Sequence, residues 1–189
     1  MYKMYSRIVA HDDFDGVVSA ALAGYFLEID SVVFAGPGDI TRSAVSTGSG
    51  DVVCDLPYPL SCGMWFDHHE ANLEEVRLRG IDPDSIPGSH IPAKSCARVI
   101  RDYFAEEYEI DPEIEALAAA ADRIDSFDYE SVEDWRSKTP GAAIDSAIKL
   151  RSGTPAERRA FLRHLTARLM DEPLEEVAAG DEVSARARL

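Results

Sequence analysis

Side chains able to ligate a cation or move a proton fall in three short clusters. His11, Asp13 and Asp15 lie in "HDDFDG", Asp55 closes "DVVCD", and Asp67, His68 and His69 lie in "FDHHE". Each cluster follows an apolar stretch that reads as a short buried strand: "SRIVA", "DVVC" and "GMWF". In an open parallel sheet, ligands bind outside the carboxyl ends of the strands. Three such strands ending on acids and imidazoles aim several carboxylates at one small volume. Their mutual repulsion is costly without cations, so the pattern predicts bound metal. In the first cluster the side chains stand at i, i+2 and i+4. In extended backbone these share one face, with Asp12 and Phe14 on the other. Gly16 permits a tight exit into the helix that follows.

The elements that must position these groups alternate. "SRIVA" is a strand, "GVVSAALAGYFLE" a helix, "DSVVFAG" a second strand, and "ITRSAVSTGSG" a weak helix or loop. "DVVCD" and "GMWFD" are the third and fourth strands, and "ANLEEVRLRG" is an amphipathic helix stopped by Gly80. "IDPDSIPGSHIPAK" reads as a long loop with room for a short edge strand. "SCARVIRDYFAEEY" starts at a Ser95 cap, and "DPEIEALAAAAD" starts at an Asp111 cap with Pro112 in the first turn. Short strands alternating with helices predict an α/β fold, a doubly wound and mainly parallel sheet. From about Ser126 every segment is helix-like. The expected division is a metal-binding α/β domain over 1–125 and a helical C-terminal extension over 126–189.

Each cluster alone has a plainer reading. An Asp after a strand is ordinarily a turn or a helix cap, adjacent histidines are ordinarily a surface pair, and "HDDFDG" alone fits a capping turn. "DDFDG" also lacks the later Glu of an EF-hand loop and follows a strand. Three clusters at strand ends of one sheet are not explained by caps.

The three motifs, in this order, resemble the DHH phosphoesterase superfamily: H-x-D-x-D-G as "HDDFDG", a lone Asp after a hydrophobic strand as Asp55, and D-H-H as "FDHHE". A fourth motif, an Asp after a small-residue helix, is best matched by Asp122 in "LAAAADRID". Asp125, one helical turn on, is the alternative, and the small side chains before Asp122 favour the latter. "KSCARVI" is similar to the helix that follows the D-H-H motif, and the likeness spans residues 6–125. It implies a DHH-type α/β fold and a site for two divalent ions, Mn²⁺ with Mg²⁺ or Co²⁺ as alternatives. His11 and Asp13 would bind the first ion, Asp15, His68 and Asp122 the second, and Asp55 both. His69 would meet the phosphoryl group, with Asp67 behind it as an orienting partner. Four carboxylates against two divalent ions balance in charge, and mixed imidazole–carboxylate ligation suits these ions. Two such ions favour in-line hydrolysis of a phosphoester or phosphoanhydride. Lys94, Arg98 and Arg151 are candidate phosphate partners, chosen for their nearness to the loops.

The first-motif spacing resembles the exonuclease, oligonucleotide-hydrolase and exopolyphosphatase-like branch, since the pyrophosphatases place one more residue between the His and the first Asp. The glycine-rich "GGGH"-like segment of a second domain, found in many members, has no counterpart here. Its lack leaves the substrate open and allows a catalytically weak regulator, or a subunit completed by a partner, as the alternative function. A metal-free nucleotide-binding α/β protein lacks its signature, because no GxGxxG or P-loop is present.

Composition narrows the partners. The 189 residues carry 19 Lys and Arg against 35 Asp and Glu, a net charge of −16. That excess repels duplex DNA and favours a compact phosphorylated substrate, such as a short single-stranded oligonucleotide, a nucleotide or a polyphosphate. No apolar run reaches the roughly 20 residues of a membrane span, and "MYKMYSR" is unlike a secretory leader. Cys54, Cys62 and Cys96 form no CxxC and read as reduced thiols. The expectation is a cytoplasmic protein without membrane partners. "FLRHLTARLM" offers an apolar face to the core or to a homodimer.

Overall fold

A computed structural model describes residues 4–150 and 153–186. Five parallel strands form one sheet in the order β2-β1-β3-β4-β5. They are β1 (Arg7–His11), β2 (Val32–Ala35), β3 (Asp51–Cys54), β4 (Met64–Asp67) and β5 (Gly88–His90). The strand order reverses between β1 and β3, which is where doubly wound sheets open a crevice for ligands. The edge strand β5 sits within the proline-rich loop, after a single 3-10 turn at Pro83–Ser85.

Strand periodicity sorts the sheet's side chains. Ile8, Ala10, Val52, Cys54, Met64 and Phe66 face one layer, while Val9, Val53 and Trp65 face the other. The second layer is thin, closed by Ile40 from α2 (Pro37–Thr41), Val76 from α3 (Glu70–Leu78), Leu56 and Ile86. The first layer is thick. Its centre is α1 (Phe14–Leu27), whose residues from Phe14 to Gly24 are all buried. Around α1 pack α4 (Cys96–Phe104), α5 (Pro112–Asp125) and α8 (Pro155–Asp171). Both α4 and α5 start where the sequence predicts, although only Ser95 bonds its helix. Its Oγ accepts the Arg98 amide at 3.0 Å, whereas Asp111 makes no side-chain cap. Gly80 takes φ +75° after α3, the left-handed turn that ends the helix.

Beyond Ser126 the chain is helical: α6 (Val132–Trp135), α7 (Pro140–Lys149), α8, α9 (Leu174–Ala179) and α10 (Asp181–Arg186). Ile144, Ile148, Leu162, Leu165, Leu169, Val177 and Val183 join the same apolar cluster as α1 and the sheet. The apolar stripe of "FLRHLTARLM" is thereby turned inward, with Phe161, Leu162, Leu165 and Leu169 buried within the chain. Among the described residues, no helix is long and apolar enough to cross a membrane. Cys54, Cys62 and Cys96 are all free thiols, and Cys54 and Cys96 are buried.

Leu165 is fully buried in this shared core. Leu165→Ala is expected to cost about 2–5 kcal/mol of global stability. Amide exchange in β1 and β3 is expected to accelerate with it, since α8 packs on α1, which covers the sheet. Unchanged exchange in those strands would overturn that coupling.

Candidate metal centre

Register brings the three motifs into one row. Ala10 pairs with Cys54, and Cys54 with Phe66, so the next residues, His11, Asp55 and Asp67, stand side by side. Neighbouring strands lie about 4.8 Å apart, close enough for these side chains to meet. The chain turns sharply beyond each strand. A Cβ at Gly16 would sit 2.1 Å from the His11 carbonyl oxygen, so only glycine lets α1 begin this close to the end of β1. Asp55 adopts φ +57°, a left-handed conformation that Asp tolerates better than most residues.

The first motif does not stay extended. Only His11 belongs to the strand. Asp13 is the N-cap of α1, its Oδ1 accepting the Gly16 amide at 2.9 Å, and Asp15 lies in the first helical turn. Capping and ligation are therefore compatible uses of Asp13, because its Oδ2 lies 2.8 Å from His11 Nδ1.

Three groups of potential ligands result: His11 with Asp13 and Asp55; Asp55 with His68 and His69; and Asp15 with His68 and Asp125. Asp55 stands between the imidazoles. Its Oδ2 is 3.3 Å from His11 Nδ1 and its Oδ1 is 3.5 Å from His68 Nε2. His68 Nε2 also lies 3.4 Å from Asp125 Oδ2 and 3.7 Å from Asp15 Oδ2. Yet Asp55 Oδ1 and His68 Nε2 are both buried without a hydrogen bond. Buried polar atoms are normally satisfied. With the His68 proton on Nδ1, facing the Ala93 carbonyl, both orphans present lone pairs, and ringed by further carboxylates they fit a cation better than they fit one another.

The surroundings orient each ligand. The Ala93 carbonyl accepts a hydrogen bond from His68 Nδ1–H at 3.1 Å, which turns Nε2 toward the acids. Asp15 is buried, and its carboxylate accepts the Cys96 amide at 2.7 Å and the Ala97 amide at 3.0 Å, at the N-terminus of α4. That end of a helix favours negative charge. Asp67 holds His69 Nδ1 at 2.9 Å and is itself held by Asn72 Nδ2 at 2.8 Å. The His69 ring is half exposed, so its Nε2 is the nitrogen left to face solvent.

The electrostatics reflect crowding. Burial and the neighbouring Asp55 push the Asp15 carboxyl well above the usual range, against the two amide bonds. Burial also lifts Asp125. Burial disfavours the Asp55 carboxylate, but the neighbouring His11 and His68 imidazoles outweigh it and hold the group low. Burial likewise opposes the imidazolium of His11, yet Asp13 and Asp55 raise it to about 10. His68 rises to about 9 against burial, through Asp55 and Asp15.

Not every predicted residue joins the cluster. Asp122 faces away from it. Its Oδ1 accepts the Ser95 hydroxyl at 2.7 Å, and its Oδ2 accepts Arg98 Nε at 2.9 Å. Asp125, the last residue of α5, occupies the place beside His68. Arg98 is engaged with Asp122 and Glu115, and Lys94 with Asp128 at 2.6 Å, so neither points its charge at the centre unpartnered. Arg151 lies outside the described residues. The sequence reading missed Arg158 of α8. Its guanidinium bonds the Asp12 carbonyl at 2.6 Å and the Asp12 carboxylate at 3.1 Å, and also bonds the Ile148 carbonyl. It ties the first-motif turn to the end of α7. Nothing in the local sequence marks it, because its partner is 146 residues away.

Fold and cluster together define a doubly wound α/β protein with a carboxylate–imidazole centre at its switch point. A solved structure described as a pGpG-specific phosphodiesterase, PggH from Vibrio cholerae, shares the fold with a TM-score of 0.79. Identity is 22%, over 97% of this chain and 58% of that one. An uncharacterized protein from Helicobacter pylori G27 aligns with a TM-score of 0.53 and 14% identity, over 98% of this chain and 62% of that one. This chain thus spans less than two thirds of either structure. No family model matches it, and no curated protein matches it significantly.

The raised His11 and His68 values carry a sign. Below about pH 6.5 both imidazoles are protonated folded and unfolded, and their pairing with Asp13, Asp15 and Asp55 stabilises the fold fully. That contribution is lost as pH rises through about 9 and about 10. Chelator-treated protein is therefore expected to lose melting temperature between pH 7 and 10. A flat profile over that window would contradict the pairing.

Proposed function

We propose that this protein is a metal-dependent phosphodiesterase of the DHH type, hydrolysing a small phosphodiester or phosphoanhydride. A short single-stranded oligonucleotide or dinucleotide is the first candidate. The observation that carries the proposal is the two-sided environment of Asp55. Its Oδ2 lies toward His11, in a group with Asp13, and its Oδ1 toward His68 and His69, while His68 in turn joins a group with Asp15 and Asp125. A carboxylate shared between two ligand sets is the arrangement a pair of divalent ions requires. The fold shared with a pGpG-specific phosphodiesterase supports the same reading.

In this reading, His11, Asp13 and Asp55 hold one ion, and Asp15, His68 and Asp125 hold the other with Asp55. Asp125 replaces Asp122 there. Mn²⁺ suits the donor set, with Mg²⁺ or Co²⁺ as alternatives. Such ions supply Lewis acidity, an activated water and neutralisation of phosphoryl charge. The protein's own groups do the rest. Asp67 fixes the His69 ring so that its outward Nε2 stabilises phosphoryl charge or delivers a proton to the leaving oxygen. Asp15 stays anchored on the amides of α4. Arg158 keeps the turn bearing Asp13 in place. The ligand imidazoles must shed their protons, so metal binding releases protons and tightens as pH rises toward about 9.

Asp55→Ala and His68→Ala are each expected to lower metal-dependent turnover by about 10²-fold or more. Asp125→Ala should cost far more turnover than Asp122→Ala, whose loss falls on stability through Arg98. The assay is product release from a dinucleotide, a short oligonucleotide, polyphosphate, pyrophosphate and an aryl phosphodiester. Full activity in both Asp55→Ala and His68→Ala would sink the assignment. Metal binding without turnover of any compound would favour a regulator, or a subunit that needs a partner.

A further inference from the structure

The chain that leaves Asp125 carries exposed rings. Phe127 is 66% and Trp135 50% exposed, and the ring of the half-buried Tyr129 lies 5.1 Å from Phe127, which is 6.3 Å from Trp135. Exposed apolar groups gathered in this way mark a binding surface. The segment is held in shape. Arg123 pairs with Asp134 and lies 5.1 Å over the Tyr129 ring. Asp134 accepts the Glu130 amide at 3.1 Å, and Ser131 caps α6 through the Asp134 amide at 3.0 Å.

Between this segment and α7 lies a cleft of about 570 Å³, lined by Tyr129, Trp135, Arg136, Lys138, Asp145 and Lys149 among others. That volume is in the range of small-molecule sites. In a chain of net charge −16 its lining carries Arg136, Lys138 and Lys149 against one acid, Asp145. Lys149 answers Asp145 at 2.7 Å, while Arg136 and Lys138 are exposed and form no ion pair with a described residue. Helix α7, which lines the cleft, also packs against the elements that carry Asp13, Asp15 and Asp125. A Cβ on Gly141 would lie 3.3 Å from Ile124 and 3.5 Å from Phe14, the residues next to Asp125 and between Asp13 and Asp15. Asp145 is lifted by burial, lowered by Lys149 and lifted again by the charge of Asp13.

We infer that this cleft is a nucleobase subsite: Trp135, with Tyr129, stacks a base of the substrate, and Arg136 and Lys138 hold its phosphates. Aromatic faces accept any base because every base has a π-face, and cations track the backbone. Polyphosphate and pyrophosphate offer the rings nothing, so the subsite selects nucleotide-type diesters. The inference rests on the phosphodiesterase reading, but its test does not depend on turnover.

The chain has two Trp residues, and Trp65 is fully buried. Trp135 therefore reports on the cleft. The full chain is titrated with the 5′-phosphorylated dinucleotide pApA, in chelator and again in Mg²⁺, while tryptophan fluorescence is followed. Saturable quenching is expected, and Trp135→Phe should remove the signal while keeping affinity in a competition assay. Trp135→Ala should weaken binding about tenfold or more, with circular dichroism and melting temperature checking its fold. With metal, the wild type should show a lower KM for the dinucleotide than for its abasic analogue, and Trp135→Ala should bring that ratio toward one. Quenching by pApA without turnover of any compound in the panel supports the subsite and overturns only the phosphodiesterase reading. Hydrolysis with no quenching in either condition, and an unchanged KM ratio in Trp135→Ala, overturns the subsite and leaves the phosphodiesterase reading standing.

Discussion

Asp55 is a buried carboxylate held between two imidazoles at the point where a parallel sheet changes direction. A lone charge there would be costly to bury. It is tolerated because His11 approaches from β1 and His68 from the end of β4, and because the strand register delivers both. The left-handed backbone at Asp55, the close approach at Gly16 and the thick helical layer over α1 all serve that juxtaposition. Move one strand by one residue and the row of His11, Asp55 and Asp67 is broken.

The other acids are managed one by one. Asp15 rests on the first amides of α4, Asp67 on His69 and Asn72, and Asp13 on the first turn of α1. Asp125 has the least support. It sits at a helix C-terminus, where the helix dipole opposes negative charge. Its position is costly for the fold alone and sensible beside a cation. Protonated imidazoles answer the excess of negative charge in the protein alone.

The helices beyond Ser126 are tied to this centre. Their apolar residues complete the core over α1, and Arg158 reaches back to the carbonyl and carboxylate of Asp12. Packing that stabilises the whole fold thus also fixes the turn bearing Asp13. The same region places rings and cations beside α7.

Much of this was legible in the residues alone. Apolar runs ending in His and Asp mark the strands and the polar groups at their ends, since a local pattern of burial sets strand direction and face. Ser95, Pro112 and Gly80 marked helix ends because capping is a short-range effect. The first motif was read as extended, but Asp13 caps α1 and Asp15 is helical, and the three groups converge across a turn instead of along a strand. The choice between Asp122 and Asp125 depended on helix rotation. Both lie near the end of α5, and only the partners Ser95 and Arg98, brought in by α4, turn Asp122 away. Lys94 and Arg98 looked available because a sequence does not show which acids will neutralise a cation. Arg158 and the ring-lined cleft were invisible for the same reason. Sequence by itself determined the residue types, their order and the elements that carry them, because these follow from local pattern. Tertiary structure decided which groups meet, because contacts across the fold depend on register, helix rotation and packing between distant segments.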